Sequence, residues 1–180
     1  LAQLSLALMY AEGKGVTQDY KAALKWYKLS AEQGNASAQY NLGVVYQEGE
    51  GVTQDYKTAF EWFKLSAKQG DALAQYNLGV MYRKGKGVTQ DYKAAVKWNK
   101  LSAEQGVASA QLNLGVMYGE GQGVIQDNIY AHMWLNIGAS NGSKNAVKGR
   151  DIIAKRMNSA DISTAQRLAR ECVKKKYKGC

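Results

Sequence analysis

The sequence predicts an all-α solenoid of about ten helices arranged in antiparallel pairs. Three observations carry that expectation. First, the stretch beginning at Ala38 (AQYNLGVVYQEGEGVTQDYKTAFEWFKLSAKQGDAL) restarts almost unchanged at Ala74 and at Ala110, with an earlier copy from Ala2, so one unit recurs every 36 residues. A fixed period of this size marks stacked units, none of which can bury its apolar face without its neighbours. Second, each unit holds two stretches with helical apolar spacing, parted by a glycine-x-glycine loop. Third, the 180 residues contain no proline and 19 glycines, which suits short helices joined by tight turns.

The copies divide the chain into 2–37, 38–73, 74–109 and 110–145, with 146–180 left as a degenerate closing unit of a single domain spanning 1–180. In the unit at 38–73, Ala38, Leu42, Gly43, Val45 and Tyr46 fall on one stripe and predict a helix over 38–48. Gly43 costs helix propensity, and it recurs as Gly79 and Gly115, with Ala7 in the first copy. A small residue kept at one place predicts close approach of a second helix. Gly49 and Gly51 suit the left-handed backbone that ends a helix. Asp55 is a good N-cap for the next helix, predicted over 56–69 with Tyr56, Ala59, Phe60, Phe63 and Ala67 on one face and Gly70 at its end. The first copy repeats this with Tyr10, Gly13, Gly15, Asp19, Ala23 and Trp26; its Leu4 and Leu8 are expected to be exposed. Leu1 already lies inside that copy, so a segment ahead of it is expected.

The fourth copy drifts, with Ile125 for threonine and Asn128-Ile129 for Tyr-Lys, as terminal repeats do. Next, Val147, Ile152, Ile153 and Met157 are expected to line one face that docks on the fourth copy. Ser159 is a plausible N-cap for a last helix, Asp161 suits its first turn, and Ile162, Ala165, Leu168, Ala169 and Cys172 form its stripe. That helix is expected to run out near Lys175 and Lys176, where cations suit the carbonyl end.

The positions Ala38, Leu42, Gly43, Tyr46, Gly49, Gly51, Val52, Asp55, Ala59, Trp62, Ala67 and Gly70 recur in register as Ala74, Leu78, Gly79, Tyr82, Gly85, Gly87, Val88, Asp91, Ala95, Trp98, Ala103 and Gly106. This pattern resembles the Sel-1-like repeat, a relative of the tetratricopeptide repeat, over about residues 2–145. The departures are Ala7 for glycine and Asn128 for tyrosine. The resemblance implies a right-handed α/α superhelix whose first helices line a concave groove that holds a protein or peptide. On this sequence the groove positions are Tyr40, Asn41, Val44, Gln47 and Glu48, then Tyr76, Asn77, Val80, Arg83 and Lys84, then Leu112, Asn113, Val116 and Glu120, with Leu4, Leu8 and Glu12 in the first copy. Asn41, Asn77 and Asn113 make a repeated amide row. In related repeats an asparagine here holds a peptide backbone, and an amide can donate and accept together. The alternative for that row is solvation, kept by recent duplication. Tyr76 and Asn77 are expected to point away from the inter-helix seam.

Charge is uneven. Residues 146–180 hold ten Lys/Arg against three acids, so +7 of the net +9 sits there and +2 on the array. A basic end on a near-neutral array favours an acidic partner by long-range steering; the alternative is a solvated cap. Nucleic acid is disfavoured, because the basic residues are not interleaved with aromatics and no binding motif accompanies them. No apolar run is long enough to span a membrane.

Cys172 and Cys180 are eight apart and would stand about 12 Å from each other on one straight helix. A bond between them requires the chain to turn back, which Gly179 permits. The residues alone leave open a bonded pair or two free thiols. Some secreted members of the resembled family carry cysteine pairs at this offset, so the resemblance implies a Cys172–Cys180 disulfide and a periplasmic or secreted protein.

Catalytic and cofactor constellations find little footing. His132 is the one histidine, without a second for zinc. No nucleophile elbow is present. The Gly-Lys-Gly and Gly-Glu-Gly loops lack the Gly-Lys-Ser/Thr that follows in a phosphate loop, and they recur with the repeat. Trp26, Trp62, Trp98 and Trp134 share the 36-residue period and are expected to pack between helices. The reading is a binding module without metal, cofactor or catalysis. The alternatives are a cell-envelope or secreted factor with small-molecule, cell-wall-binding or hydrolytic activity, or an assembly spacer whose stacked ends associate.

Overall fold

Asp19, Asp55, Asp91 and Asp127 each start a helix in the same way. Their backbones are extended and their carboxylates accept from amides of the first turn, such as Lys57 N and Thr58 N for Asp55. These caps satisfy amides that have no partner within the helix. The structure, a computed structural model, describes residues 2–180; Leu1 lies outside the described residues. Among the described residues there are ten α-helices and no strand. They are α1 (Ala2–Glu12), α2 (Tyr20–Glu32), α3 (Ala36–Glu48), α4 (Tyr56–Lys68), α5 (Ala72–Lys84), α6 (Tyr92–Ala103), α7 (Ala108–Glu120), α8 (Asn128–Ser140), α9 (Lys144–Ala154) and α10 (Ser159–Lys174). The first helices of copies two and three begin two residues earlier than expected. Asn35 and Asp71 cap them through Ala38 N and Ala74 N, ahead of the apolar stripe that marks the helix in the sequence. Gly49, Gly85 and Gly121 end them in the left-handed conformation.

Each helix packs on the one before and the one after, from α1 to α9, as a right-handed α/α solenoid requires. The helical glycines are contact points. A Cβ on Gly43 would stand 2.7 Å from the Phe63 ring, and the same site in the next copy, Gly79, meets the amide of Asn99. The expected close approach is therefore present, and glycine is what allows it. The core runs as a chain of clusters along the stack rather than one centre. Trp62 packs on the cluster of copy one and its neighbour, Trp98 on the next, and Trp134 is fully buried, so the tryptophans join successive pairs.

A polar seam accompanies the apolar one. Gln39, Gln75 and Gln111 are buried, and each donates to a carbonyl in the last turn of the preceding second helix: Ala31 O, Ala67 O and Ala103 O. Their own oxygens accept from Gln69, Gln105 and Asn141 at 2.7–2.9 Å. Ser66 and Ser102 donate to Ala36 O and Ala72 O. Satisfied buried amides at a fixed period set the stacking register as well as its strength.

The closing unit departs from expectation. α9 and α10 both pack on α8. Covered by α7, α9 and α10, α8 is apolar nearly all round, with Met133, Trp134, Leu135 and Ile137 buried. This explains the drift of the fourth copy. On α9, Ala146 and Ile153 are buried and Met157 packs beside them, but Val147 and Ile152 face outward, at 37% and 54% exposure. The small Ala146 and Gly149 meet α8 instead, because the helices approach closely there. Asn158, one residue before Ser159, caps α10 through Asp161 N. The α10 stripe is as expected, with Ala165, Ala169 and Cys172 buried. Leu4 and Leu8 are half-buried against the first cluster rather than exposed.

Candidate functional site

The period places side chains in rows across the first helices. Leu8, Val44, Val80, Val116 and Ile152 are successive members of one row, each 36 residues on. Glu12, Glu48, Lys84, Glu120 and Arg156 are another, and Gln47, Arg83 and Gly119 a third. The first helices of the later pairs touch directly, α5 with α7 and α7 with α9, so over these three helices the rows form one continuous face. Ile152 and Arg156 extend that face into the closing unit. The sequence reading missed them as face residues because the loop signature that sets the register is absent after residue 145. The 36-residue offset itself carried the signal.

The expected groove residues divide by surroundings. Val44, Val80 and Gln47 are half-buried on the face, and Lys84 is exposed there. Among the described residues, neither Lys84 nor Glu120 enters an ion pair, whereas Glu48 accepts from Gln47 at 2.8 Å. Arg83 is half-buried and its Nε has no hydrogen-bond partner. Leu112 packs against the cluster between α8 and α9. Tyr40 packs its ring 5.8 Å from that of Phe63, and Tyr76 packs on the cluster around Trp134. Both tyrosines therefore belong to the seam in part, contrary to the expectation that Tyr76 points away from it. The tyrosine body is apolar and packs on the seam, while its hydroxyl keeps a polar end.

The amide row is not uniform. Burial first, and then the charge of Asp71, push the pKa of the Tyr40 hydroxyl up, with Asn77 opposing in part. Asn113 is buried, and its Nδ2 donates to Asn99 Oδ1 at 3.1 Å. The cause is a core substitution. Asn99 stands where other copies have Tyr27, Phe63 and Leu135, and a buried amide needs a partner. Asn113 supplies it and so leaves the face. Asn41, half-buried, is the remaining member of the row.

Groups with chemical potential elsewhere are engaged or dispersed. His132 is buried on α8, with Nδ1 unpartnered. Burial first, and then the Arg150 guanidinium, hold its pKa below the ordinary histidine value, with Asp151 opposing in part. Cys172 and Cys180 stand at disulfide distance, with Cα atoms 5.6 Å apart. The turn that brings them together uses left-handed Lys176 and Tyr177 as well as Gly179. Tyr177 donates from its hydroxyl to Asn141 Oδ1, anchoring the tail. Two wide depressions, one beside Asp19 and one beside Asp91, recur in copies one and three, and in both the carboxylate is already capping a helix. Among the described residues no group of three metal-ligating side chains converges, and no helix is long and apolar enough to cross a membrane.

Comparison with known proteins gives the following. The family model described as Sel1 repeat matches residues 1–35, 36–71, 72–107 and 108–143. The crystal structure of a Sel1 repeat protein from Oxalobacter formigenes is similar, with a TM-score of 0.78, 32% identity, and coverage of 95% of this chain and 72% of that one. Also similar is c5321, a protective antigen present in uropathogenic Escherichia coli strains and displaying an SLR fold, with a TM-score of 0.67, 28% identity, and coverage of 98% of this chain and 46% of that one. No curated protein matches the chain.

Proposed function

Because the chain belongs to the Sel1 repeat family, we propose that it is a non-catalytic binding module that holds a protein or peptide along the face formed by α1, α3, α5, α7 and α9. Proteins built from these repeats are generally interaction scaffolds. The observation that carries the reading for this chain is the set of rows. Half-buried aliphatic side chains run beside a line of charges of both signs, of which Lys84, Glu120 and Arg156 form no ion pair among the described residues. Such a face offers apolar area with polar groups to orient a ligand, the mixture that recognition surfaces use. A location outside the cytoplasm is part of the proposal. The cysteine pair at disulfide distance supports it, and an SLR-fold neighbour that is a protective antigen is compatible with it.

A photo-activatable amino acid placed at Val80, and separately at outward-facing Leu65, tests the reading in the native compartment. The expected outcome is that a specific protein is captured from Val80 and not from Leu65. Capture from Leu65 alone would overturn it. Silence at Val80, with capture instead from a photo-activatable residue at Lys175, would move the site to the basic end and its acidic partner.

A further inference from the structure

We propose that the C-terminal end of this face is the anchor point for the bound segment: a slot between α7 and α9 takes one aliphatic side chain of an extended peptide. In the peptide that side chain is flanked by a cation toward Glu120 and by a carboxylate toward Arg156. The inference rests on the binding-face reading above and names the ligand chemistry of one part of it.

The slot is made by two missing side chains. One period before Gly119 stands Arg83, and one before that Gln47. In copy three the arginine occupies its own space, with Nε buried. In copy four Gly119 puts no side chain between α7 and α9, and the tip of Ile153 stands against it instead. Gly149 likewise stands one period after Asn113. The result is a recess of about 190 Å³, floored by buried Leu135 and Ile153 and walled by Val116 and Ile152. The side chains of its floor lie close against the two glycines. A Cβ on Gly149 would stand 2.9 Å from Leu135 Cδ2, and one on Gly119 3.0 Å from Ile153 Cδ1.

The lining selects the ligand. Leu135, Ile153, Val116 and Ile152 offer no hydrogen bond, so water in the recess is poorly held and an aliphatic group displaces it favourably. Ile152, 54% exposed, would be covered on binding. The two rim charges belong to opposite walls, Glu120 at the end of α7 and Arg156 just beyond α9, and neither forms an ion pair among the described residues. A ligand with one sign only would meet a like charge at one wall. A peptide with a cation on one side of its aliphatic residue and a carboxylate on the other meets both, which sets its direction along the face.

The test uses dye-labelled peptides Lys-Gly-Leu-Gly-Asp and Asp-Gly-Leu-Gly-Lys, and the versions with serine for leucine, titrated against the full chain by fluorescence polarisation. One of the two ordered peptides is expected to bind, with about thirtyfold loss on leucine-to-serine exchange, the size of a hot-spot truncation. Gly119→Gln, which installs the copy-two side chain, is expected to abolish the leucine dependence. Exposed Ile152→Ser serves as a second variant should the first perturb the helix. The exchange Glu120→Arg with Arg156→Glu should reverse which peptide order binds, an outcome that a merely structural role would not produce. No binding of either ordered peptide, or equal binding to Gly119→Gln, overturns the slot. Capture from Val80 that is unaffected by Gly119→Gln would leave the binding face standing and the slot alone refuted.

Discussion

His132 shows how a single residue inherits its chemistry from a place in the repeat. Its counterparts one, two and three periods earlier are Val96, Phe60 and Leu24, all apolar, so the imidazole sits in a site built for hydrocarbon. Burial favours the neutral ring, and the Arg150 charge adds to that, so the folded pKa lies below the unfolded value of about 6.5. The unfolded chain then takes up the proton first as pH falls, and the contribution to stability declines from near pH 7 downward until the folded ring also protonates. Melting temperature measured from pH 7 to pH 5 should therefore drop, and His132→Leu should flatten that drop; parallel curves would refute the assignment. Asn99 and Asn113 are the other residue-scale device. Asn99 Nδ2 donates to Ala95 O at 2.9 Å, and its Oδ1 takes Asn113. Asn113→Ala removes one partner and is expected to cost about 1–3 kcal/mol in denaturant unfolding. Adding Asn99→Leu, the residue that copy four carries at this site as Leu135, should recover much of that loss. Strict additivity of the two losses would show that the pair is not coupled.

At the scale of elements, the two glycines of each loop have different work. The first ends a helix. The second lets the loop of one copy lie on the start of the second helix of the copy before: a Cβ on Gly87 would run into Tyr56 O, and one on Gly123 into Tyr92 O. Gly15, at the matching place in the first copy, has only Met9 Cε at 3.5 Å. Both Gly15 and Gly87 have positive φ, +75° and +71°, so alanine at either carries the left-handed cost of about 1–2 kcal/mol. Only Gly87→Ala adds a collision with backbone, expected to bring a further loss of about 1–3 kcal/mol. Equal melting temperatures for the two variants would remove the stacking role. Lys86 supports the same contact from above, with Nζ 3.2 Å from the Tyr56 hydroxyl and 4.6 Å from the ring centroid.

For the whole molecule, stability is the sum of neighbour contacts along the stack, so its last pair depends on what closes it. α10 and the tail cover the outer side of α8, and the Cys172–Cys180 pair ties the tail back on the helix it leaves. The loop it closes is short, for which the chain-entropy estimate is about 2–3 kcal/mol. Protein isolated without reductant should show no alkylatable thiol by mass spectrometry. Reduction should lower the melting temperature, and Cys180→Ser should reproduce that loss and make it insensitive to reductant. Two free thiols in the isolated protein would rule the bond out.

The architecture was legible because it is written four times. Asp55, Gly49 and Gly43 each act within a few residues or across one helix pair, and a fixed 36-residue period repeats that local chemistry in register. The pairing of Cys172 with Cys180, outside the repeated copies, could be anticipated only through the offset seen in the resembled family. What only the tertiary structure decided lies where the repeat breaks. Asn113 keeps its letter, but it turns into the core because Asn99, fourteen residues away, needs a hydrogen-bond partner. Ile152 reads as a core residue on the stripe of α9, yet it faces outward because Ala146 and Gly149 are the small residues that let α8 come close. The recess between α7 and α9 has no letter of its own. A recess is a relation between two helices, set by how far the side chains of each reach into the gap, and one strand of text cannot state that distance.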